Sequence, residues 1–317
     1  MHRRPLRLAA LLALAGVPVL ASCGSAGNTT GASAQAGTAL NVVATTPVVA
    51  DFVRNVGGAK VAVTQILKPG VDPHDYEAAP ADVQAIAGAA LVVKSGVGLE
   101  HWLDDAIASA GYSGQVVDTS KGVAIRHGNG DQEQAQGDPH IWHDPRNAKI
   151  MVHNIADALE AKDPADKADY ERNATTYSAK LDALDTADQA KISSIPAAQR
   201  KLVTNHDAFG YYCARYGITF VGSIIPSFDT SAELSGKGLS DLVTKIKQSG
   251  VRAVFSESSL PPKTAETVAS EASVQVVEGE DSLYADGLGP AGSPGGTYLG
   301  AEQHNTDTIV KALGGRV

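Results

Sequence analysis

The chain has 317 residues, 43% hydrophobic and 5% aromatic, with 26 Lys and Arg against 35 Asp and Glu, a formal net charge of -9. That length carries two lobes of ordinary size, each with an apolar core built mainly from Ala, Val, Leu and Ile, and the hydrophobic content excludes a disordered chain. The acidic balance argues against nucleic acid as a partner and is compatible with attracting cations.

Arg3, Arg4 and Arg7 precede an apolar run over 8–20, which has the length and flanks of a secretory signal and is too short to span a membrane permanently. The segment Leu20-Ala21-Ser22-Cys23 resembles a bacterial lipobox, so removal of a signal over 1–22 is expected to leave Cys23 as a lipidated N-terminus. Loss of the three arginines moves the net charge to about -12. Residues 23–38 are mostly Gly, Ser, Ala, Thr, Asn and Gln, too polar to fold, and predict a flexible tether with a reach of about 5 Å times the square root of its length. The other cysteine, Cys213, is expected to be a small buried apolar residue with no disulfide partner in the mature chain.

From Leu40 onward, β-rich runs at 40–44, 61–67, 90–94 and 115–117 alternate with helical stretches starting near Pro47, Pro80 and Leu99. The alternation predicts an α/β lobe with a parallel sheet over 39–162. Asp163 and Pro164 form a helix start, and Tyr170, Ala174, Tyr177, Leu181 and Leu184 follow at helical spacing until Pro196. A linking helix over 163–195 is therefore expected, a rod of roughly 45 Å. Runs at 201–204, 218–221, 252–256 and 274–277, with helices near Ala208, Gly238, Pro262 and Tyr298, predict a second lobe over 196–317.

The chemistry begins with a tripeptide that occurs twice, Asp72-Pro73-His74 and Asp138-Pro139-His140. Proline fixes the backbone before each histidine and aims an imidazole at low entropic cost. His206 follows the run at 201–204, and Asp281 follows the run at 274–277. Each lies beyond the carboxyl end of a strand, where open α/β sheets bind ligands, and two come from each lobe. Three imidazoles and one carboxylate match tetrahedral Zn²⁺, whereas Mn²⁺ favours more oxygen and binds nitrogen-rich sites more weakly. Asp72, Asp75, Asp138 and Asp207 are candidate acceptors that would fix the imidazole tautomers. Glu278, Glu280 and Asp286 lie close to Asp281, and the Gly- and Pro-rich stretch beyond makes this register hard to fix. Trp142 is a packing residue that would shield such a site from water.

A hydrolase using three histidines on zinc, with Asp207 or Glu257 as general base, is the competing class. It lacks support from a His-Glu-x-x-His helix or a Gly-x-Ser-x-Gly elbow, and a fourth ligand would fill the open position that catalysis needs. A surface adhesin fits the tether but not ligands shared between lobes.

The segments Asp72-Pro73-His74-Asp75-Tyr76-Glu77, Asp138-Pro139-His140-Ile141-Trp142 and His206-Asp207-Ala208-Phe209-Gly210-Tyr211 resemble the three signature segments of the zinc- and manganese-specific substrate-binding proteins of ABC importers. Glu257 with 261–266, and Asp281-Ser282-Leu283-Tyr284, resemble two further segments of that family. The resemblance implies two (β/α)4 lobes with parallel sheets joined by a long rigid backbone helix, with the metal in the interlobe cleft. It also implies a monomeric, non-enzymatic receptor that delivers its ion to an ABC permease in the membrane. Its ligands carry over to His74, His140, His206 and Asp281. Manganese-type members usually have glutamate as the third ligand, so His206 points to Zn²⁺, while mixed receptors with histidine there keep Mn²⁺ open. His143 stands where the family is more often apolar and would compete as a ligand if its loop rearranged. The loop that is long and His-rich in many zinc receptors is short here, with His127, Asp131 and Glu133.

Overall fold

Continuous β-branched runs need burial on both faces, and the computed structural model, which describes residues 39–128, 137–232 and 235–317, buries them in two parallel sheets. The segment 1–22, Cys23, the stretch 23–38, Asp131 and Glu133 lie outside the described residues. The first sheet contains β1 (Leu40–Ala44), β2 (Val61–Gln65), β3 (Leu91–Lys94) and β4 (Gln115–Asp118) in the order β2-β1-β3-β4, all parallel. Its central strands bury Val42, Val43, Ala44, Leu91, Val92 and Val93. Helix α1 (Pro47–Gly57) starts where Thr46 accepts a hydrogen bond from the Val49 amide with Pro47 at the first position. Helices α2 (Pro80–Ala87) and α3 (Leu103–Ala110) follow β2 and β3.

Two of these boundaries differ from expectation for local reasons. Strand β2 ends at Gln65, although Ile66 and Leu67 still donate to the carbonyls of Ala44 and Thr45. Helix α3 starts at Leu103 instead of Leu99, because 96–102 are taken up by turns: the Leu99 amide donates back to Gly96 across Val97 and Gly98, both at positive φ, and the Leu103 amide to Glu100, whose side chain accepts from the amides of Ser95 and Gly96.

Next come α4 (Pro145–Lys162), capped by Asp144 with Pro145 at its first position, and α5 (Lys167–Ser193). Between them Pro164–Asp166 forms a separate 3-10 turn. Asp163 accepts from the Tyr170 hydroxyl at 2.9 Å and makes no side-chain cap, which is why the long helix starts later than the sequence pattern indicates. At 27 residues α5 is about 40 Å long.

The second sheet contains β5 (Lys201–His206), β6 (Thr219–Ile225), β7 (Ala253–Phe255) and β8 (Gln275–Val277) in the order β6-β5-β7-β8, again parallel. Its helices are α6 (Gly210–Tyr216), α7 (Gly236–Ser249) and α8 (Lys263–Ala272), and α9 (Tyr298–Leu313) closes the chain.

Helices α5 and α9 both span the two cores. Tyr170, Tyr177 and Leu181 of α5 pack in the core of the first sheet and Ile192 in that of the second. Tyr298 and Ala301 of α9 join the first core, and Ile309, Val310 and Leu313 the second. Buried Asp51 on α1 ties these helices together by accepting from the Tyr177 hydroxyl at 2.9 Å and the Tyr298 amide at 3.2 Å. Each sheet reverses strand order between its inner strands, and at such points the loops beyond the strands part to form a crevice.

Candidate metal centre

The two Asp-Pro-His segments fold alike. In each, the aspartate side chain accepts from the backbone amide of the histidine two residues on, Asp72 from His74 at 2.9 Å and Asp138 from His140 at 3.0 Å. These are Asx turns, with the intervening proline fixing φ. Gly137 leads into the second turn at φ +113°, a region that favours glycine, and a Cβ there would lie 2.3 Å from the Ile125 side chain. Arg126 crosses over Gly210, where a Cβ would collide with its guanidinium, and pairs with Asp138. Tyr211 of α6 accepts from the Arg126 amide and donates to the Asp138 carbonyl, which docks the turn onto the second lobe.

His206 is the last residue of β5, and with the two turns it brings three Nε2 atoms to one point. His140 and His206 Nε2 are 3.2 Å apart. The fourth group is Asp286: Oδ1 lies 3.2 Å from His140 Nε2 and 3.8 Å from His74 Nε2, and Oδ2 lies 3.4 Å from His206 Nε2. The donor atoms of His74, His140, His206 and Asp286 all lie within 4.8 Å of one another. Ligand bonds of 2.0–2.1 Å in a tetrahedron separate the donors by about 3.3 Å, close to these distances. His74 Nε2 and both Asp286 oxygens are buried without a hydrogen-bond partner among the described residues, as expected of atoms that face a common ion.

Asp281, the acidic ligand expected from the sequence, lies elsewhere. Its side chain is 54% exposed, 3.6 Å from Lys311. The cause is the path of the chain after β8: the 3-10 turn Gly279–Asp281 is an excursion, after which Leu283 pairs again with Glu257 in a parallel bridge. Leu283 donates to the Ser256 carbonyl and accepts from the Ser258 amide. The chain therefore leaves the carboxyl edge of the sheet after Leu283, and Asp286 is the carboxylate that meets the histidines.

Two histidines have a carboxylate behind them. Asp138 Oδ1 is 2.8 Å from His140 Nδ1, and Glu257 Oε2 is 2.5 Å from His206 Nδ1, with Oε1 accepting from the His206 amide. Hydrogen on each Nδ1 leaves the Nε2 lone pair for a metal. Glu257 thus holds one of the clustered imidazoles directly. Asp207 lies beside the cluster without filling that role; burial and the charge of Asp138 push its carboxyl up to about 6. Asp75 is exposed, whereas Asp72 reaches across to the second lobe and accepts from the Thr230 hydroxyl at 2.6 Å.

Without a metal, these groups attract protons. Burial disfavours a charged His140, but its bond to Asp138 and the charge of Asp286 prevail and push it up to about 9. Burial likewise opposes charge on His206, and Asp286 and Glu257 together raise it well above the ordinary value. Burial would raise Asp286, yet the positive histidines hold it well below the usual carboxylate range.

His143 is fully buried and outside the cluster, its Nδ1 2.8 Å from Glu302 and its Nε2 2.9 Å from the Ala285 carbonyl. His127 and His153 are exposed, and His304 lies 3.0 Å from the Ser282 carbonyl. Trp142 packs edge-on to His140 and shields it. Cys213 is buried, as expected of a small apolar residue. At the cleft mouth His101 and Asp229 face each other at 3.7 Å across the lobes.

Three imidazoles and a carboxylate buried between two parallel α/β lobes define a two-lobed metal-binding protein. The chain belongs to the family described as zinc-uptake complex component A, periplasmic, whose profile matches residues 42–312. It is 34% identical over 274 residues to the zinc-binding protein TroA of Treponema pallidum, covering 86% of this chain and 88% of that protein. It is 32% identical over 303 residues to the manganese ABC transporter substrate-binding lipoprotein PsaA of Streptococcus mitis, covering 94% and 95%. The solved structure of the periplasmic zinc-binding protein TroA superposes with a TM-score of 0.80 at 33% identity, covering 87% of this chain and 99% of that one.

Proposed function

We propose that the chain is the substrate-binding protein of a metal ABC importer, an extracytoplasmic receptor that captures Zn²⁺ in this cluster and delivers it to the permease. The observation that carries the reading is the set of three converging Nε2 atoms, two of them with the tautomer imposed from behind by Asp138 and Glu257. A nitrogen-rich set of this kind binds zinc well ahead of manganese. His74, His140, His206 and Asp286 are the proposed ligands.

The rest of the reading is a signal over 1–22, a lipid on Cys23, a tether over 23–38 and a monomeric two-lobed domain that meets the permease at its membrane. No helix among the described residues is long and apolar enough to cross a membrane.

Manganese is the second reading, favoured by one feature. Both Asp286 oxygens face the histidines, so a bidentate carboxylate would raise the coordination number toward what that ion prefers. Hydrolysis is disfavoured, because Asp286 stands at the fourth position and both oxygens of Glu257, one of the two candidate bases, are engaged by His206.

The test is to strip the mature domain with chelator and titrate Zn²⁺ and Mn²⁺ separately, following metal content and thermal stability. One tight zinc equivalent, lost in His206→Ala, is expected, with a rise in melting temperature set by the bound fraction. Absence of stabilisation by either ion contradicts the receptor reading, and tighter manganese binding selects the second one.

A further inference from the structure

Asp286 differs from the other buried ligands in how it is held. His140 and His206 each lean on a carboxylate, whereas neither Asp286 oxygen has a hydrogen-bond partner among the described residues. Its direction must therefore come from its backbone, and the backbone just before it is pinned from several sides. Asn305 bonds both the amide and the carbonyl of Tyr284, at 2.8 and 2.9 Å. The next carbonyl, that of Ala285, accepts from Trp142 Nε1 at 3.2 Å and from His143 Nε2 at 2.9 Å.

We infer that His143 is a positioning residue of the metal centre, which holds the Ala285 carbonyl and through it the Asp286 carboxylate against His140 and His206. The inference rests on the metal-receptor reading and adds a residue to it. A carbonyl can only accept, so the hydrogen sits on His143 Nε2, and that nitrogen is committed. Nδ1 faces Glu302 on α9, and the ring stacks on Phe209 with centroids 4.5 Å apart and planes at 25°. Phe209 lies three residues beyond His206, and His143 three residues beyond His140. One buried side chain thus touches the segments that carry three of the four donors. A turn of the first lobe sets the ligand that the second lobe contributes.

Two polar substitutions separate positioning from packing. In His143→Gln the side-chain amide reaches the place of Nε2 and keeps a donor to Ala285. In His143→Asn it reaches only the place of Nδ1, so it keeps Glu302 company and loses Ala285. The release of zinc into excess chelator is measured for both, together with amide hydrogen exchange over 283–288 in the metal-stripped proteins. His143→Asn is expected to release zinc about tenfold faster than wild type, the scale for removing a partner that orients a ligand, and to exchange faster over 283–288 without metal. His143→Gln is expected to stay within about twofold of wild type on the same scale. Equal release from the two variants, or wild-type release from His143→Asn, overturns the inference and leaves the receptor reading intact. A wild-type protein that binds neither ion overturns both.

Discussion

Glu257 meets His206 twice, with one oxygen accepting from its backbone amide at 3.0 Å and the other 2.5 Å from Nδ1. The pair is fully buried, so the carboxylate both orients the ring and makes its Nε2 more basic toward a metal. Glu257→Ala is expected to weaken zinc binding by about 10- to 100-fold, or about 1.4–2.7 kcal/mol. Competition against a fluorescent chelator measures it, with Glu257→Gln falling between because it still accepts one hydrogen bond.

Protons and the metal compete for the same nitrogens. Asp138 and Asp286 outweigh burial and push His140 from its ordinary 6.5 up to about 9, so folding without metal favours the protonated ring. The stability this gives is complete below pH 6.5 and is lost as the pH rises through about 9, a span of about 3 kcal/mol. Melting temperatures of the stripped protein are expected to fall between pH 6.5 and 9. Zinc affinity is expected to rise over the same window, because each ion displaces a proton from His140. Parallel melts of stripped and zinc-loaded protein across that range check both signs, and a constant gap between them would contradict the account.

A second buried acid acts far from the ligands. Burial, reinforced by the charge of Glu302, pushes Asp188 on α5 up to about 8. A raised carboxyl supports the fold below its unfolded value and loses that support as the pH rises toward 8. Asp188→Asn, neutral at every pH, is expected to gain several degrees in melting temperature over wild type at pH 8 and little at pH 4. Differential scanning calorimetry at the two values tests it.

Metal release is expected to involve local rearrangement more than hinge opening. Both α5 and α9 insert buried side chains into the two cores, so opening the lobes would pull apart packed Tyr170, Tyr177, Tyr298 and Ile309. Small-angle scattering profiles of stripped and zinc-loaded protein are expected to superpose. A clear increase in radius of gyration without metal would show hinge opening instead.

The three histidines were legible because their placement is local. An Asx turn closed by proline is written into each Asp-Pro-His, and His206 ends a strand opened by the β-prone run Leu202-Val203-Thr204. The carboxylates were not, because non-local pairing sets them. Asp207 is adjacent to His206 in sequence, but successive side chains leave a strand on opposite faces, and the partner comes from Glu257 just beyond β7, beside β5. Asp281 follows the last visible strand, yet the bridge between Leu283 and Glu257 extends the sheet past it and makes Asp286 the carboxylate that meets the three histidines. No local pattern records such a return. The start of α4 was readable in principle from Asp144 and Pro145, whereas the shift of α5 to Lys167 depends on Asp163 accepting from Tyr170.

The central claim is that one ion is held by His74, His140, His206 and Asp286. Anomalous diffraction at the zinc edge from zinc-loaded crystals, paired with titration of Asp286→Ala and Asp281→Ala, tests it most directly. The account predicts one peak bonded to three Nε2 atoms and the Asp286 carboxylate, tight binding lost in Asp286→Ala, and tight binding kept in Asp281→Ala. A peak bonded to Asp281, or Asp286→Ala binding zinc like the wild type, would contradict it.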